Sequence, residues 1–327
     1  MSEERERVLG KLDEDPLAAD IQLSLFISAA QNYRHDTVLR PFPPAFINSE
    51  GEKDFRNLQY LCRKMPTIND MKRELRSSMN RETLELLDWV FNSRTFSLKS
   101  HGKSKFEEIK ALTGAPSYEL EPTHIFEVVP SENSEAKFQE VRDSRDLLYA
   151  YHGSRLENFH SILHNGLHAH MNKNSLFGEG TYLSSDLCVT MPYAPAGGGW
   201  DRSQVGGTLS CVAVCEMVDH PSVKCTVKDK ESNVNRSRAQ APSSLGGDVP
   251  EKYYVVTNNQ VIRVKYLLVF ASKTPPRVRS QSSRIITWFR QHMMITIMTI
   301  YALLLMFIGF MNSSAYKVFL NKYLGFR

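Results

Sequence analysis

Residues 293–311 form an apolar segment without a charged side chain, and its only polar groups are Thr296, Thr299 and the hydroxyl of Tyr301. As a helix rising about 1.5 Å per residue, these nineteen residues span about 28 Å, close to the roughly 30 Å hydrocarbon core of a bilayer. A buried helix of this length in a globular protein normally has a polar face, and this segment has none. The segment therefore predicts a transmembrane helix.

Basic residues are distributed unevenly about this segment. More of them precede it, in 273–292, than follow it, in 312–327, and such an excess marks the cytosolic side. The N-terminal sequence MSEERERVLGKLDEDP is charged and lacks the apolar core of a signal peptide. We therefore expect a tail-anchored protein, inserted after synthesis, with its N-terminal domains in the cytosol, a basic linker over 273–292 and a short lumenal tail over 312–327.

Charge and cysteine content exclude several other classes. The net charge of +4 lies largely beside the apolar segment, where basic side chains attract anionic lipid headgroups, so it does not indicate nucleic-acid binding. The five cysteines are odd in number and form no CxxC pair. This pattern is typical of free thiols in a reducing compartment and argues against a disulfide framework or a zinc knuckle.

The first 94 residues have helical patterns. Apolar residues after Asp15-Pro16 recur at helical spacing, and the proline-rich stretch 40–46 interrupts the pattern. Further helices are predicted over 53–64, 68–77 and 80–92. We expect a small α-helical domain over 1–94, which packs on the following domain and controls access to its cleft, or binds partners.

The pattern changes over 95–272. Strand-forming residues dominate the segments 95–98, 124–129, 146–151, 208–217, 252–257 and 261–270, with helices at 103–112 and 157–167. Few helices separate the strands, which favours an antiparallel α+β arrangement over a βαβ repeat. The polar stretch 226–250 is predicted to be a long loop.

Three segments carry the candidate chemistry: 150–167, with a His-Gly-Ser turn; 175–193, with a Gly-Glu-Gly turn; and 252–268. Each alone has a structural explanation as a turn or a core strand. Neither the Rossmann nor the P-loop glycine pattern is present. His160 and His164 share a helix face, a spacing that can bind metal, but no cysteine or carboxylate completes a ligand set, so we expect no metal.

In this order, the three segments resemble the catalytic domain of the poly(ADP-ribose) polymerase family, the diphtheria-toxin-like ADP-ribosyltransferases. The resemblance covers 95–272 and rests on HGS…NF..I…GL, FGEG-Y-L-SSD…Y and the closing KYLL. It implies an α+β fold with a split antiparallel β-sheet and NAD bound between two small sheets as the donor that is consumed. The implied organisation is a helical domain (1–94), a transferase domain (95–272), a linker (273–292), a transmembrane helix (293–311) and a tail (312–327).

The resemblance also implies roles for individual residues. His152 would bind the adenosine ribose, and the backbone of Gly153 would pair with the nicotinamide carboxamide. Tyr182 would form a wall of the nicotinamide-ribose pocket, Tyr193 would stack on nicotinamide, and the hydroxyl of Thr190 would replace a serine that bonds the carboxamide. The residues implied in NAD binding are His152, Gly153, Ser154, Tyr182, Thr190 and Tyr193.

A third catalytic position decides the product. Chain-building members of the family have a glutamate thirteen residues before the tyrosine of the closing strand, and counting back from Tyr266 gives Tyr253. Tyr254 is the alternative if the register slips by one. Glu251 lies nearby but is off register by two. With His152 and Tyr182 as the other catalytic residues, a phenol at this position implies transfer of a single ADP-ribose unit.

The sequence therefore predicts an NAD-dependent mono-ADP-ribosyltransferase that acts on protein side chains, including its own, and releases nicotinamide. We expect it in the endoplasmic reticulum membrane or nuclear envelope, facing the cytosol, an expectation that rests on the resemblance. Two alternatives remain open at this point. One is a catalytically silent membrane adaptor with an NAD-binding fold, and the other is an NAD glycohydrolase with water as acceptor.

Overall fold

The structure is a computed structural model, and it describes residues 2–92, 94–114, 120–168, 176–226, 236–241 and 243–271, together with 298, 301, 304–306 and 309. Most of the predicted membrane segment, with the linker and the tail, lies outside these residues. No helix within the described part of the chain is both long and apolar enough to cross a bilayer. The chain divides into two compact units, Met1–Pro275 and Pro276–Arg327.

The N-terminal third is helical, as predicted. Its helices are α1 (Glu3–Glu14), α2 (Pro16–Gln31), α3 (His35–Val38), α4 (Phe55–Lys64), α5 (Ile68–Arg76) and α6 (Arg81–Phe91). Side chains cap four of them: Asp15 accepts a hydrogen bond from the N–H of Ala18, Asp54 from Asn57, Thr67 from Asp70 and Asn80 from Glu82. Each cap satisfies one of the backbone donors that the first helical turn leaves unpaired.

Helix α2 belongs to two hydrophobic cores. Leu23 and Phe26 pack in the core of the helical region, whereas Ile21 and Leu25 pack in the main core beneath the sheet. A helix with apolar side chains around its whole circumference normally packs against other elements on all sides. Helix α2 therefore joins the helical region to the mixed region that follows it.

The mixed region contains one antiparallel sheet. Its strands are β1 (Phe96–His101), β2 (His124–Pro130), β3 (Leu147–Gly153), β4 (Thr181–Ser184), β5 (Gly197–Gly198), β6 (Thr208–Val218), β7 (Val223–Lys224), β8 (Tyr253–Val256) and β9 (Ile262–Ala271). The order along the sheet is β1-β2-β9-β6-β3-β4-β8-β7, and β5 pairs with β6. All these pairs are antiparallel, which confirms the predicted α+β class.

Short helices flank the sheet: α7 (Lys105–Thr113), α8 (Glu132–Arg142), α9 (Phe159–Asn165), α10 (Leu187–Thr190) and α11 (Arg236–Ala239). Helix α9 confirms the predicted helix, and it ends at Gly166, whose φ of 81° suits a residue without a Cβ. Helix α8 and strand β4 were not predicted. Helix α8 buries only Phe138, so its sequence has no apolar stripe, and β4 is four residues long.

The sheet is split between β3 and β4. Their register contains one residue pair, Tyr151 with Ser184, whereas β3 pairs with β6 along its whole length. Strand β6 is buried at every position from Leu209 to Val218, so it forms the centre of the larger part of the sheet. The His-Gly-Ser motif lies at the end of β3, next to this split.

Candidate functional site

His152 lies at the end of β3, next to the split, and its side chain is buried. Its Nδ1 atom lies 2.9 Å from the backbone carbonyl oxygen of Tyr182. Because a carbonyl oxygen can only accept, Nδ1 carries the proton and donates. In the neutral ring, Nε2 is then an acceptor. Burial lowers the pKa of His152 below the usual histidine value, which favours this neutral form.

Gly153 follows His152 and lies against the α10 region. A Cβ atom at this position would be 2.4 Å from the carbonyl oxygen of Thr190 and 3.0 Å from the Cβ of Tyr193. No side chain fits there without displacing backbone. The backbone of β3 therefore comes as close to Thr190 and Tyr193 as a glycine allows.

The hydroxyl of Tyr182 holds the Gly-Glu-Gly turn. It donates to the carbonyl oxygen of Gly178 at 2.7 Å and accepts from the N–H of Phe177 at 3.0 Å. Both bonds lie within the motif, so the hydroxyl positions the turn. The half-buried ring is the part of Tyr182 that can form a pocket wall.

The remaining predicted donor-site residues lie nearby but differ in exposure. Tyr193 has 63% of its surface exposed, so its ring is free to stack on a ligand. Thr190 is buried, and its hydroxyl donates to the carbonyl oxygen of Asp186 at 3.1 Å, which leaves its oxygen lone pairs as acceptors. Ser154 accepts a hydrogen bond from the side-chain amide of Asn158 at 3.0 Å, so it stabilises the turn that leads into α9.

The register of β4 and β8 distinguishes the two candidate tyrosines of the third position. Tyr254 is paired with Leu183 and packs on the main core, whereas Tyr253 is paired with Ser184. Alternation along β4 and β8 places Tyr253 on the same face as Tyr182, opposite to that of Tyr254. The structure therefore puts Tyr253, the residue predicted by counting, on the same face of the sheet as Tyr182.

Glu251 does not continue this face. It is exposed and precedes Lys252, which has a φ of 69° and so lies outside extended backbone. Lys252 is fixed in this conformation by two contacts, since its carbonyl oxygen accepts from Ser185 and its ammonium pairs with Asp186 at 3.1 Å. The alternation of β8 therefore starts at Tyr253 and does not extend back to Glu251.

The two histidines of α9 have structural partners. Nε2 of His160 bonds to the carbonyl oxygen of Pro41 at 2.9 Å, and the ring of His164 stacks on Trp89. Burial lowers the pKa of His160 to about 4 and, with repulsion from His160, lowers that of His164 to about 3. Over the described ranges, no group of three or more His, Cys, Asp or Glu residues could hold a metal ion.

Matches to two family models identify the family. Residues 103–272 match the poly(ADP-ribose) polymerase catalytic domain, and residues 10–91 match the ARTD15 N-terminal domain. The chain belongs to the poly(ADP-ribose) polymerase family. These matches confirm the family resemblance of the three sequence segments. They also show that the helical region corresponds to a separate family domain, the ARTD15 N-terminal domain.

Curated relatives cover nearly the whole chain. It is 48% identical over 312 residues to the protein mono-ADP-ribosyltransferase PARP16 of Homo sapiens, and 46% identical over 310 residues to that of Mus musculus. Each alignment covers 94% of this chain and 94% of the relative. The protein mono-ADP-ribosyltransferase PARP8 of Mus musculus is more distant, at 22% identity over 62% of this chain and 28% of that protein.

The sequence did not predict how the helical region reaches this site. Asp20 of α2 is fully buried, and it accepts hydrogen bonds from the hydroxyl of Ser203 and, at 2.7 Å, from the N–H of Gln204. Trp200 of the same loop packs in the helical core. The loop follows β5, which begins four residues after Tyr193, so the helical region holds a segment close in sequence to the exposed aromatic ring of the site. Its sequence signal is Asp20, the one charged residue of helix α2.

Proposed function

We propose that this protein transfers a single ADP-ribose unit from NAD to side chains of proteins, its own included, and releases nicotinamide. The acceptors are Asp, Glu or Lys side chains. The observation that carries the proposal is the position of Tyr253, which shares a face with Tyr182, the residue whose carbonyl oxygen accepts from His152. The relatives that match 94% of the chain carry the name of this activity, which supports it.

The geometry fits NAD as the donor substrate. Nε2 of His152 accepts a hydrogen bond from an adenosine ribose hydroxyl, because Nδ1 is already donating to Tyr182. The backbone N–H and C=O of Gly153 would pair with the nicotinamide carboxamide, and a Cβ at this position would clash with Thr190 and Tyr193, which flank the same site. Thr190 adds a hydroxyl oxygen, and the exposed ring of Tyr193 stacks on nicotinamide.

The chemistry lies in breaking the glycosidic bond of NAD, which develops an oxocarbenium-like charge on the ribose, as in glycoside hydrolysis. The residues of this chain act by holding donor and acceptor in the reactive orientation. Tyr182 contributes through its ring, since its hydroxyl holds the Gly178 turn. Tyr253 contributes no carboxylate, so the site cannot polarise a ribose 2′-hydroxyl as an acceptor, and the product stops at one unit.

One assay tests the proposal. The full chain, purified in detergent, is incubated with NAD labelled in the adenosine moiety, and protein-bound label and free ADP-ribose are both measured. Label on protein at one unit per site is expected, and its loss in His152→Ala and Tyr182→Ala variants that remain folded is the control. Free ADP-ribose alone would support a glycohydrolase instead, and no turnover would support a silent adaptor.

We also propose that residues 293–311 anchor the protein in the endoplasmic reticulum membrane or nuclear envelope, with the two domains in the cytosol. The described residues of this segment include Met298, Leu304, Leu305 and Met306, which are apolar and exposed, and such side chains favour a lipid environment. The basic excess over 273–292 supports the orientation. A glycosylation acceptor site appended after Arg327 should be modified in cells, and one placed before Ser2 should not. The reverse pattern would refute the orientation.

A further inference from the structure

The Gly-Glu-Gly turn is held against a second loop. The backbone N–H groups of Leu245 and Gly246 both donate to the carbonyl oxygen of Leu176, at 3.0 and 2.6 Å. The N–H of Glu179 donates to the hydroxyl of Ser243 at 3.0 Å. These bonds join residues 176–179, which belong to the second motif, to 243–246, from the predicted long loop. We call Leu176, Glu179 and Leu245 the leucine platform.

Packing as well as hydrogen bonding fixes the platform. A Cβ at Gly178 would lie 2.6 Å from the Cβ of Ala241, and a Cβ at Gly246 would lie 2.8 Å from the Cγ of Leu176. The two segments therefore touch through two glycines, and neither can move toward the other. The hydroxyl of Tyr182 adds its own bond to Gly178, so the platform is linked directly to the donor site.

The platform presents apolar surface to solvent. Leu245 has 89% and Leu176 has 59% of its surface exposed, although the backbone of both residues is fixed. Leucine side chains held in this way gain free energy when a partner covers them, because apolar area leaves water. Glu179 is exposed beside them, and the described part of the chain shows no salt bridge to its carboxylate.

We propose that the leucine platform binds the protein acceptor, through an apolar side chain and a neighbouring basic side chain that flank the modified residue. The inference rests on the proposed transfer reaction and names the class of acceptor sequence that it uses. An acceptor must approach the ribose at the wall formed by Tyr182, and the platform is the surface joined to that wall.

The charge of the leucine platform disfavours binding of the donor. NAD carries a negatively charged diphosphate, which the carboxylate of Glu179 repels and which gains nothing from two leucines. A peptide with an apolar and a cationic side chain complements both features. The same surface therefore favours the acceptor over the donor. Among acceptors with the same reactive carboxylate, it selects by the side chains that flank that carboxylate.

The experiment uses the full chain in detergent, with the variants Leu176→Ser, Leu245→Ser and the double variant. A matched control is Leu112→Ser, since Leu112 lies on α7 and is also exposed, at 44%. The substrates are three peptides with a central acceptor glutamate, and only modification of that glutamate, located by fragmentation mass spectrometry, is counted. The first is flanked by Leu and Lys, the second by Ser and Lys, and the third by Leu and Glu. KM for each peptide and nicotinamide release without peptide are measured.

The parent chain should prefer the Leu–Lys peptide, with a KM about tenfold lower than for the Ser–Lys peptide, the scale expected for one buried leucine. The double variant should lose this preference, and Leu112→Ser should keep it. Glu179→Lys should reverse the preference between the Leu–Lys and Leu–Glu peptides. Nicotinamide release without peptide should stay within about twofold in the leucine variants, because neither side chain belongs to the donor site.

Other outcomes overturn the inference. Equal KM values for the three peptides in the parent chain, or a preference that survives in the double variant, would show that the platform does not select acceptors. A fall in nicotinamide release that parallels the loss of transfer would show that the leucines act on the donor site instead. If the parent chain neither released nicotinamide nor labelled any peptide, the proposed function itself would fail.

Discussion

The carbonyl oxygen of Tyr182 accepts a hydrogen bond from Nδ1 of His152 at 2.9 Å. This bond crosses the split between β3 and β4, where the strand register has the single pair Tyr151 and Ser184. It joins the first sequence motif to the second and determines which ring nitrogen of the histidine faces a ligand. The proton on Nδ1 of this buried imidazole therefore links the first motif to the second through one hydrogen bond.

The first prediction concerns the pH dependence of donor binding. Burial lowers the pKa of His152 below 6.5, the ordinary histidine value, so the neutral ring persists to lower pH than in an exposed histidine. We therefore expect any rise in KM for NAD on acidification to have its midpoint below pH 6.5. His152→Ala should raise KM by about 10- to 100-fold, since a hydrogen bond in a buried site is lost. A rise in the KM of the parent chain with a midpoint near 6.5 would contradict the assigned state.

The second prediction concerns Gly153→Ala. The added methyl group would lie 2.4 Å from the carbonyl oxygen of Thr190, so β3 and the α10 region must separate. We expect a loss of about 1–3 kcal/mol in the free energy of unfolding, measured by urea denaturation, and a larger loss of NAD turnover. The control is Gly10→Ala in α1, where a Cβ meets nothing within 4 Å and alanine should stabilise the helix. Equal effects of the two substitutions would exclude the close approach as the cause.

A third prediction separates the two adjacent tyrosines. Tyr254 packs on the main core, so Tyr254→Ala should lower the free energy of unfolding by about 2–3 kcal/mol. Tyr253→Ala should cost less than about 1 kcal/mol but should impair transfer, because its side chain lies on the face of Tyr182. Urea denaturation and protein labelling measured on both variants test this. A stable, fully active Tyr253→Ala variant would refute a role in the site.

Much of this fold could be predicted because its elements have strong local signals. Strand β9 is a continuous run of β-formers that becomes buried, and α9 ends at the glycine that its pattern required. The motif residues could be found because the three segments, in their order, resemble the catalytic domain of one family; each segment alone has the pattern of a turn or a core strand. The count back from Tyr266 selected Tyr253, and strand alternation places that residue on the expected face.

The parts that could not be predicted depend on contacts between distant segments. Strand β4 is only four residues long, and all four residues pair with β8, which follows about seventy residues later in the chain. Helix α8 is held by Arg263, which bonds to Glu135 at 2.5 Å and lies over the ring of Phe138, 128 and 125 positions away in sequence. The contact of Leu176 with Leu245 is of the same kind. Local periodicity contains no information about such partners.

The fourth prediction concerns acid stability. The folded chain keeps His160 and His164 neutral, with pKa values of about 4 and about 3, whereas the unfolded chain takes up protons below about 6.5. Stability should therefore change little above about pH 7 and fall as the pH decreases below it, by on the order of 4 kcal/mol at pH 5, with about 2 kcal/mol from each histidine. Urea denaturation at pH 7.5 and pH 5 measures the difference. His164→Phe cannot take up this proton, so it should roughly halve the decrease; an undiminished decrease would assign it to other groups.

The last prediction concerns the bond between the helical region and the site. Asp20 accepts from the hydroxyl of Ser203 and the N–H of Gln204, so both carboxylate oxygens are used. In Asp20→Asn, one oxygen becomes an amide NH2, which cannot accept, and one of these buried donors is left unpaired. We expect a cost of about 1–3 kcal/mol in the free energy of unfolding. The exposed Asp36→Asn substitution in α3 is the control and should cost less than about 0.5 kcal/mol.

Hydrogen exchange shows whether this cost is local. Amides of 203–206 should exchange faster in Asp20→Asn, while those of β6, which is buried throughout, should keep their protection under native conditions. Because only β5 separates the loop from Tyr193, KM for NAD should rise while the rate at saturating NAD changes less. Uniformly faster exchange across β6 with an unchanged KM would mean that Asp20 stabilises the whole fold and does not position the loop. Faster exchange confined to the loop, with a raised KM, would establish the helical region as part of the donor site.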